Sequence, residues 1–176
     1  MKRKRTFTIP ACCLLLALNM PLGNLFGQRT QFDPEAAKSA IAEIEAVSPA
    51  EERMVLIYSV TNAFSHPSVP HGKKVLELLG DKNGAYQAVV SDDPAYFEKE
   101  SLSGFDAVVF NNTSGSTLLG ISKRDFQNLD EEEQAALRES EARYKENLME
   151  YIRGGGGFVG IQYAVGDLPA DATPKQ

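Results

Sequence analysis

"LMEYIRGGGGFVGIQYA", residues 148–164, decides how the rest of the chain is read. Taken literally, Gly155, Gly157 and Gly160 satisfy the dinucleotide-binding pattern G-x-G-x-x-G. That pattern has chemical meaning only when the glycines follow a strand and open a helix whose N-terminus faces a pyrophosphate. Here the order is reversed. Leu137, Tyr144, Leu148 and Ile152 form the apolar stripe of a helix ending at Arg153, and Asp130 with Glu133 makes a capping-box start. The glycines end that helix, supply its left-handed cap and return the chain into a strand over 158–161. No Lys-Ser/Thr completes a phosphate loop, and no acidic ribose partner follows. The stretch is a helix-to-strand return, at the wrong edge of a sheet for a nucleotide.

The same alternation runs upstream. Residues 54–60, "MVLIYSV", form a continuous apolar run, the mark of a strand buried on both faces. A polar, proline-marked loop covers 61–70. A helix follows over 71–79, with Gly80 as its stop. Further strands are predicted over 85–90 and 105–110, with a short helix over 95–102 between them. Residues 116–129 carry no clear pattern. Asp33 as N-cap and Pro34 at the first helical position predict an additional helix over 34–47, outside the sheet. Strand and helix in strict alternation imply a parallel sheet with right-handed crossovers, a three-layer α/β sandwich. After Ala164 the chain supplies only "VGDLPADATPKQ", without strand or helix pattern, so the domain is expected to stop after its fourth strand.

Residues 1–27 read as a secretory signal peptide. Lys2 to Arg5 form a basic n-region, residues 9–18 a short apolar core, and Leu25-Phe26-Gly27 an imperfect cleavage site. The expected organisation is a leader over 1–27, an N-terminal tail and helix over 28–53, the α/β domain over 54–164 and an irregular tail over 165–176. Export would place the protein in the bacterial envelope, periplasmic or secreted. Cleavage would remove four of 18 basic residues and none of 24 acidic ones, leaving a net charge of −10. It would also remove both cysteines, and with them any disulfide or thiol nucleophile. So acidic a chain disfavours nucleic acid as a partner. No later stretch is apolar enough to span a membrane.

Ligands of open parallel sheets bind beyond the carboxyl ends of the strands. Sequence order places Asn62, Phe64 and His66 after the first strand, Asp92 after the second, Asn111 and Asn112 after the third, and Gln162 after the fourth. Gln162 sits between Gly160 and Ala164, small flanks of the kind a strained strand-to-helix elbow needs. Such elbows present nucleophiles, and glutamine is not one, so covalent catalysis is not supported. His66 and His71 are the only histidines. Their spacing matches no metal motif, and no metal or cofactor is assigned.

Three segments together, "VLIYSVTNAFSHPSVPHGKKVLELL", "FDAVVFNNTSG" and "LMEYIRGGGGFVGIQYA", resemble the trehalose-utilisation (ThuA-like) domain family, from about Val55 to Ala164. The resemblance implies a flavodoxin-like fold of the class I glutamine amidotransferase-like superfamily, and a carbohydrate-derived small molecule as partner. It implies Phe64, His66, Asn111, Asn112 and Gln162 as site residues; Asn62, placed at the same edge by sequence order, joins Phe64, Asn111, Asn112 and Gln162 as expected substrate-binding residues. His66 would be the proton-transfer group if the domain is catalytic. Two departures stand out. The family usually has histidine where this chain has Gln162, and its members continue with further strands, so the chain reads as truncated. An unprotected fourth strand leaves pairing with another copy open. The alternative is a non-catalytic binding domain or an inactive remnant.

Overall fold

The computed structural model describes residues 32–45, 49–62, 66–114, 118–162 and 164. The predicted leader and the tail over 165–176 therefore lie outside the described residues, as do Phe64 and Tyr163. The described residues from Asp33 onward form one compact unit. Among the described residues four parallel strands make its sheet: β1 (Met54–Tyr58), β2 (Gln87–Val90), β3 (Ala107–Asn111) and β4 (Gly157–Ile161). Their spatial order is β2-β1-β3-β4, with the chain reversing its direction of travel between β1 and β3. These are the first four positions of the flavodoxin-type order. The fold is the expected α/β one.

Crossover handedness decides which helix lies on which face. α2 (Val69–Asn83) joins β1 to β2 on one face. The other face is covered by a 3-10 turn (Pro94–Phe97), α3 (Lys99–Leu102) and α5 (Glu131–Arg153). Side-chain alternation along β1 and β3 sorts the core accordingly. Leu56, Tyr58, Val108 and Phe110 meet Phe97, Leu102, Tyr144 and Leu148 on the α5 face. Val55, Ile57 and Val109 meet Leu76 and Tyr86 on the α2 face. The α5 face is aromatic: Phe97 stands edge-on to Tyr58 at 4.8 Å, and Phe158 to Phe110 at 5.0 Å. Such edge contacts add about 0.5–1.5 kcal/mol each beyond simple burial.

Local signals account for most boundaries. Asp33 Oδ1 accepts from the backbone N–H groups of Glu35 and Ala36, starting α1 (Pro34–Ala42) as expected. Asp130 and Glu133 form the complete capping box of α5. The glycine return behaves as read: Gly155 takes φ +100°, a conformation an L side chain rarely adopts, and β4 follows two residues later.

Three boundaries differ from expectation. α1 ends at Ala42 rather than Val47, which leaves Ile44, predicted on its apolar stripe, half exposed. Gly80 does not stop α2. It lies inside the helix because Tyr86 folds back against it, and a Cβ there would come within 2.7 Å of the Tyr86 ring; Gly84, at φ +58°, provides the actual cap. The stretch read as patternless contains α4 (Lys123–Gln127), started by the Ser122 hydroxyl accepting from the Asp125 N–H.

Candidate functional site at the carboxyl edge of the sheet

The reversal of strand order between β1 and β3 opens a crevice at their carboxyl ends, the standard ligand position in such sheets. Pairing continues beyond the named strands there. Thr61 bridges Ser114, and the Asn62 N–H donates to the Ser114 carbonyl at 2.7 Å. The edge is consequently well defined on both sides of the crevice.

β3 ends in "NNT", and the three residues are not equivalent. Asn111 is buried, and its amide donates to Ser59 Oγ and to the Val69 carbonyl, both at 3.0 Å. The hydrogen bonds expected of Asn111 toward a ligand are therefore taken up inside the protein, where they tie β3 to β1 and to the start of α2. Asn112 turns away into the left-handed region at φ +58°. Its Oδ1 and the Thr113 Oγ1 are buried, with no hydrogen-bond partner among the described residues. Buried polar atoms without partners cost about 1–3 kcal/mol each, so two neighbours in that state mark an unusual place.

β4 ends beside it. Asn111 is in register with Ile161, and the Asn112 N–H donates to the Ile161 carbonyl, so Gln162 follows directly alongside Asn112. Gln162 also has φ +58°. Asn112 and Gln162 are the two non-glycine residues with positive φ among the described residues, and they sit on adjacent strand ends. The left-handed conformation costs an L residue roughly 1–2 kcal/mol, and such strain collects at binding and catalytic positions. Gln162, expected at the tip of an elbow, is exposed; the residues that would complete the turn beyond it, Tyr163 and 165 onward, lie outside the described residues.

His66 is exposed at the end of the first loop. Its Nδ1 accepts from the Ser68 N–H at 3.2 Å and lies 2.7 Å from Ser68 Oγ. Ser68 thus engages the Nδ1 side of the His66 ring. Asn62 is half-buried, and its amide donates to the Leu119 carbonyl at 2.6 Å. Asp92 receives the Ser59 N–H on one oxygen and Lys73 Nζ on the other, closing the β1–β2 side of the edge.

Further residues went unrecognised in the sequence. All four backbone polar groups of Leu118-Leu119 are held by side chains. Tyr58 donates its hydroxyl to the Leu118 carbonyl, Glu141 accepts both N–H groups, and Asn62 takes the Leu119 carbonyl. Burial pushes the Tyr58 phenol far above its usual range, and the carboxylates of Asp92 and Glu141 push it further. The signal for Glu141 was present: it falls at the helical spacing of the Leu137–Tyr144–Leu148 stripe, where an acid is out of place. Among the described residues no group of histidine, cysteine, aspartate and glutamate could hold a metal ion. No helix there is long and apolar enough to cross a membrane.

A family model described as trehalose utilisation, ThuA, matches residues 54–172. That span takes in the whole sheet and both strand ends that carry Asn112 and Gln162. No curated protein and no solved structure gives a significant match.

Proposed function

The chain belongs to the trehalose-utilisation (ThuA) family, and from that membership we propose that it binds a carbohydrate-derived small molecule at the carboxyl edge of its sheet. One observation carries this reading: Asn112 and Gln162, both strained at φ +58°, stand side by side on adjacent strand ends, next to the unpartnered Asn112 Oδ1 and Thr113 Oγ1. Amide and hydroxyl groups held in fixed positions suit sugar hydroxyls, which both donate and accept. Asn111 serves as the brace that holds this edge rather than as a contact. The basic n-region and short apolar run of residues 1–27 support export as part of this proposal, which would bring the domain to extracellular saccharides.

Binding without turnover fits this site better than catalysis. Gln162 neither accepts nor releases a proton at physiological pH, and the Nδ1 of His66 is engaged by Ser68. Calorimetric titration with a panel of mono- and disaccharides, trehalose included, tests the reading. Asn112→Ala should weaken the best ligand about tenfold, the effect of one lost hydrogen bond of roughly 1.4 kcal/mol. Gln162→Gly should raise the unfolding free energy by about 1 kcal/mol through relief of the positive φ while binding weakens. Absence of heat with every sugar, or unchanged affinity in both variants, would sink the proposal. Turnover of any sugar that His66→Gln abolishes would replace it with an enzymatic one.

A further inference from the structure

Beside this edge lies an open cavity of about 710 Å³ between α4, α5 and the Leu118-Leu119 segment, within the size range of small-molecule sites. We propose that it is a second binding site, for an amphipathic anion with an apolar or aromatic body and a single negative head group. This inference does not depend on the sugar reading.

Shape, lining and charge each point the same way. The lining is predominantly apolar, supplied by Leu119, Ile121, Phe126, Leu137 and Ala142. A lining so poor in hydroxyls and amides suits hydrocarbon better than sugar. The wall is rigid, because side chains from β1, α5 and the first loop hold every backbone polar group of Leu118-Leu119. Preorganisation of this kind lowers the ordering cost of binding.

The charged groups are three cations, Lys123, Arg138 and Lys145, against one carboxylate, Glu141. Glu141 is already compensated by two backbone N–H groups and by Lys145 at 2.8 Å. Lys123 and Arg138 remain, and neither has an ion-pair partner among the described residues. Arg138 lies over the Phe126 ring at 5.1 Å and donates to Gln134 Oε1, both neutral partners. Two uncompensated cations beside an apolar cavity are the more telling in a chain whose net charge is −6. An anionic head at Lys123 and Arg138, with its apolar body against Phe126 and Leu137, satisfies both parts of the lining.

Two fluorescent probes of similar body separate the charge from the apolar contribution: anilinonaphthalene sulfonate and its uncharged parent, phenylnaphthylamine. The intact chain should bind the sulfonate at one site, about tenfold more tightly than the neutral probe. Lys123→Gln with Arg138→Gln should erase that preference and leave the neutral probe unchanged. Both residues are exposed, so the fold should survive, and a far-ultraviolet dichroism melt checks this. Ala142→Trp, on an exposed position of the cavity wall, should weaken both probes. Equal affinity for the two probes, several sites per chain, or a preference that persists in the double variant would overturn the proposal. Displacement of the sulfonate by trehalose would also overturn it, since the cavity would then belong to the sugar site.

Discussion

Gly72 shows how tightly single residues are placed around the strand ends. A Cβ there would fall 2.4 Å from Asn111 Oδ1. Asn111 cannot swing aside, because its amide is bound to Ser59 and to the Val69 carbonyl. Gly72→Ala should therefore cost about 2–3 kcal/mol, as overpacking against a fixed neighbour does, measured by urea unfolding. Asn111→Ala in the same chain should recover part of that loss, a coupling that independent sites would not show. A neutral Gly72→Ala would contradict the placement of Asn111 as a brace. At this scale the sequence was legible in position but not in role. Order along the chain located Asn111, Asn112 and Gln162 at strand ends. Only three-dimensional register distinguishes the asparagine that braces from the one that is strained, since both have the same side chain and are adjacent.

At the scale of elements, the short segment at Leu118-Leu119 carries the most information. It is buried yet belongs to no helix or strand, so its backbone groups depend on side chains. Tyr58→Phe removes the donor to the Leu118 carbonyl and should cost about 1–3 kcal/mol, because an unsatisfied buried carbonyl remains. The same hydroxyl gives a pH signature. Its folded-state pKa lies above the unfolded value, so below about pH 10 the phenol is neutral in both states and stability does not depend on it. Above that, the unfolded chain releases a proton that the folded chain retains, and stability falls as pH rises. Tyr86 and Tyr151 are also raised by burial, so Tyr58→Phe should shallow the alkaline decline without abolishing it. An unchanged slope in urea titrations above pH 10 would rule this out. The elements with local signatures were readable in advance: the Asp33 cap, the capping box of α5, the glycine return and the apolar runs of β1 and β3. α4 was not, being a single turn whose start depends on one serine. The extension of α2 through Gly80 was not readable either, because it rests on the packing of Tyr86, a tertiary contact that overrides the local cost of glycine in a helix.

Across the whole molecule, the alternation of strands and helices was enough to give a parallel sheet, and the crossover rule then put α2 opposite α3 and α5. What alternation does not reveal is that the two faces are unequal. The α5 face joins side chains of all four strands to an aromatic cluster, while the α2 face has three buried residues at its centre and leaves Val159 on β4 half exposed. Parallel sheets ordinarily bury both faces, so stability here should rest mainly on one of them. Val109 and Phe110 offer a direct comparison, being consecutive residues of β3 that point to opposite faces. Phe110→Ala should cost about 3–5 kcal/mol, since it removes a ring in edge contact with Phe97 and Phe158 and leaves a cavity that fixed neighbours cannot fill. Val109→Ala removes two methyl groups from a face with fewer neighbours to lose, and should cost roughly 1–2 kcal/mol. Paired urea unfolding curves with unchanged slopes would measure both. A Val109→Ala loss equal to that of Phe110→Ala would show that the α2 face is as firmly packed as the other, and that the exposure of Val159 is not matched by any weakness in the sheet beneath it.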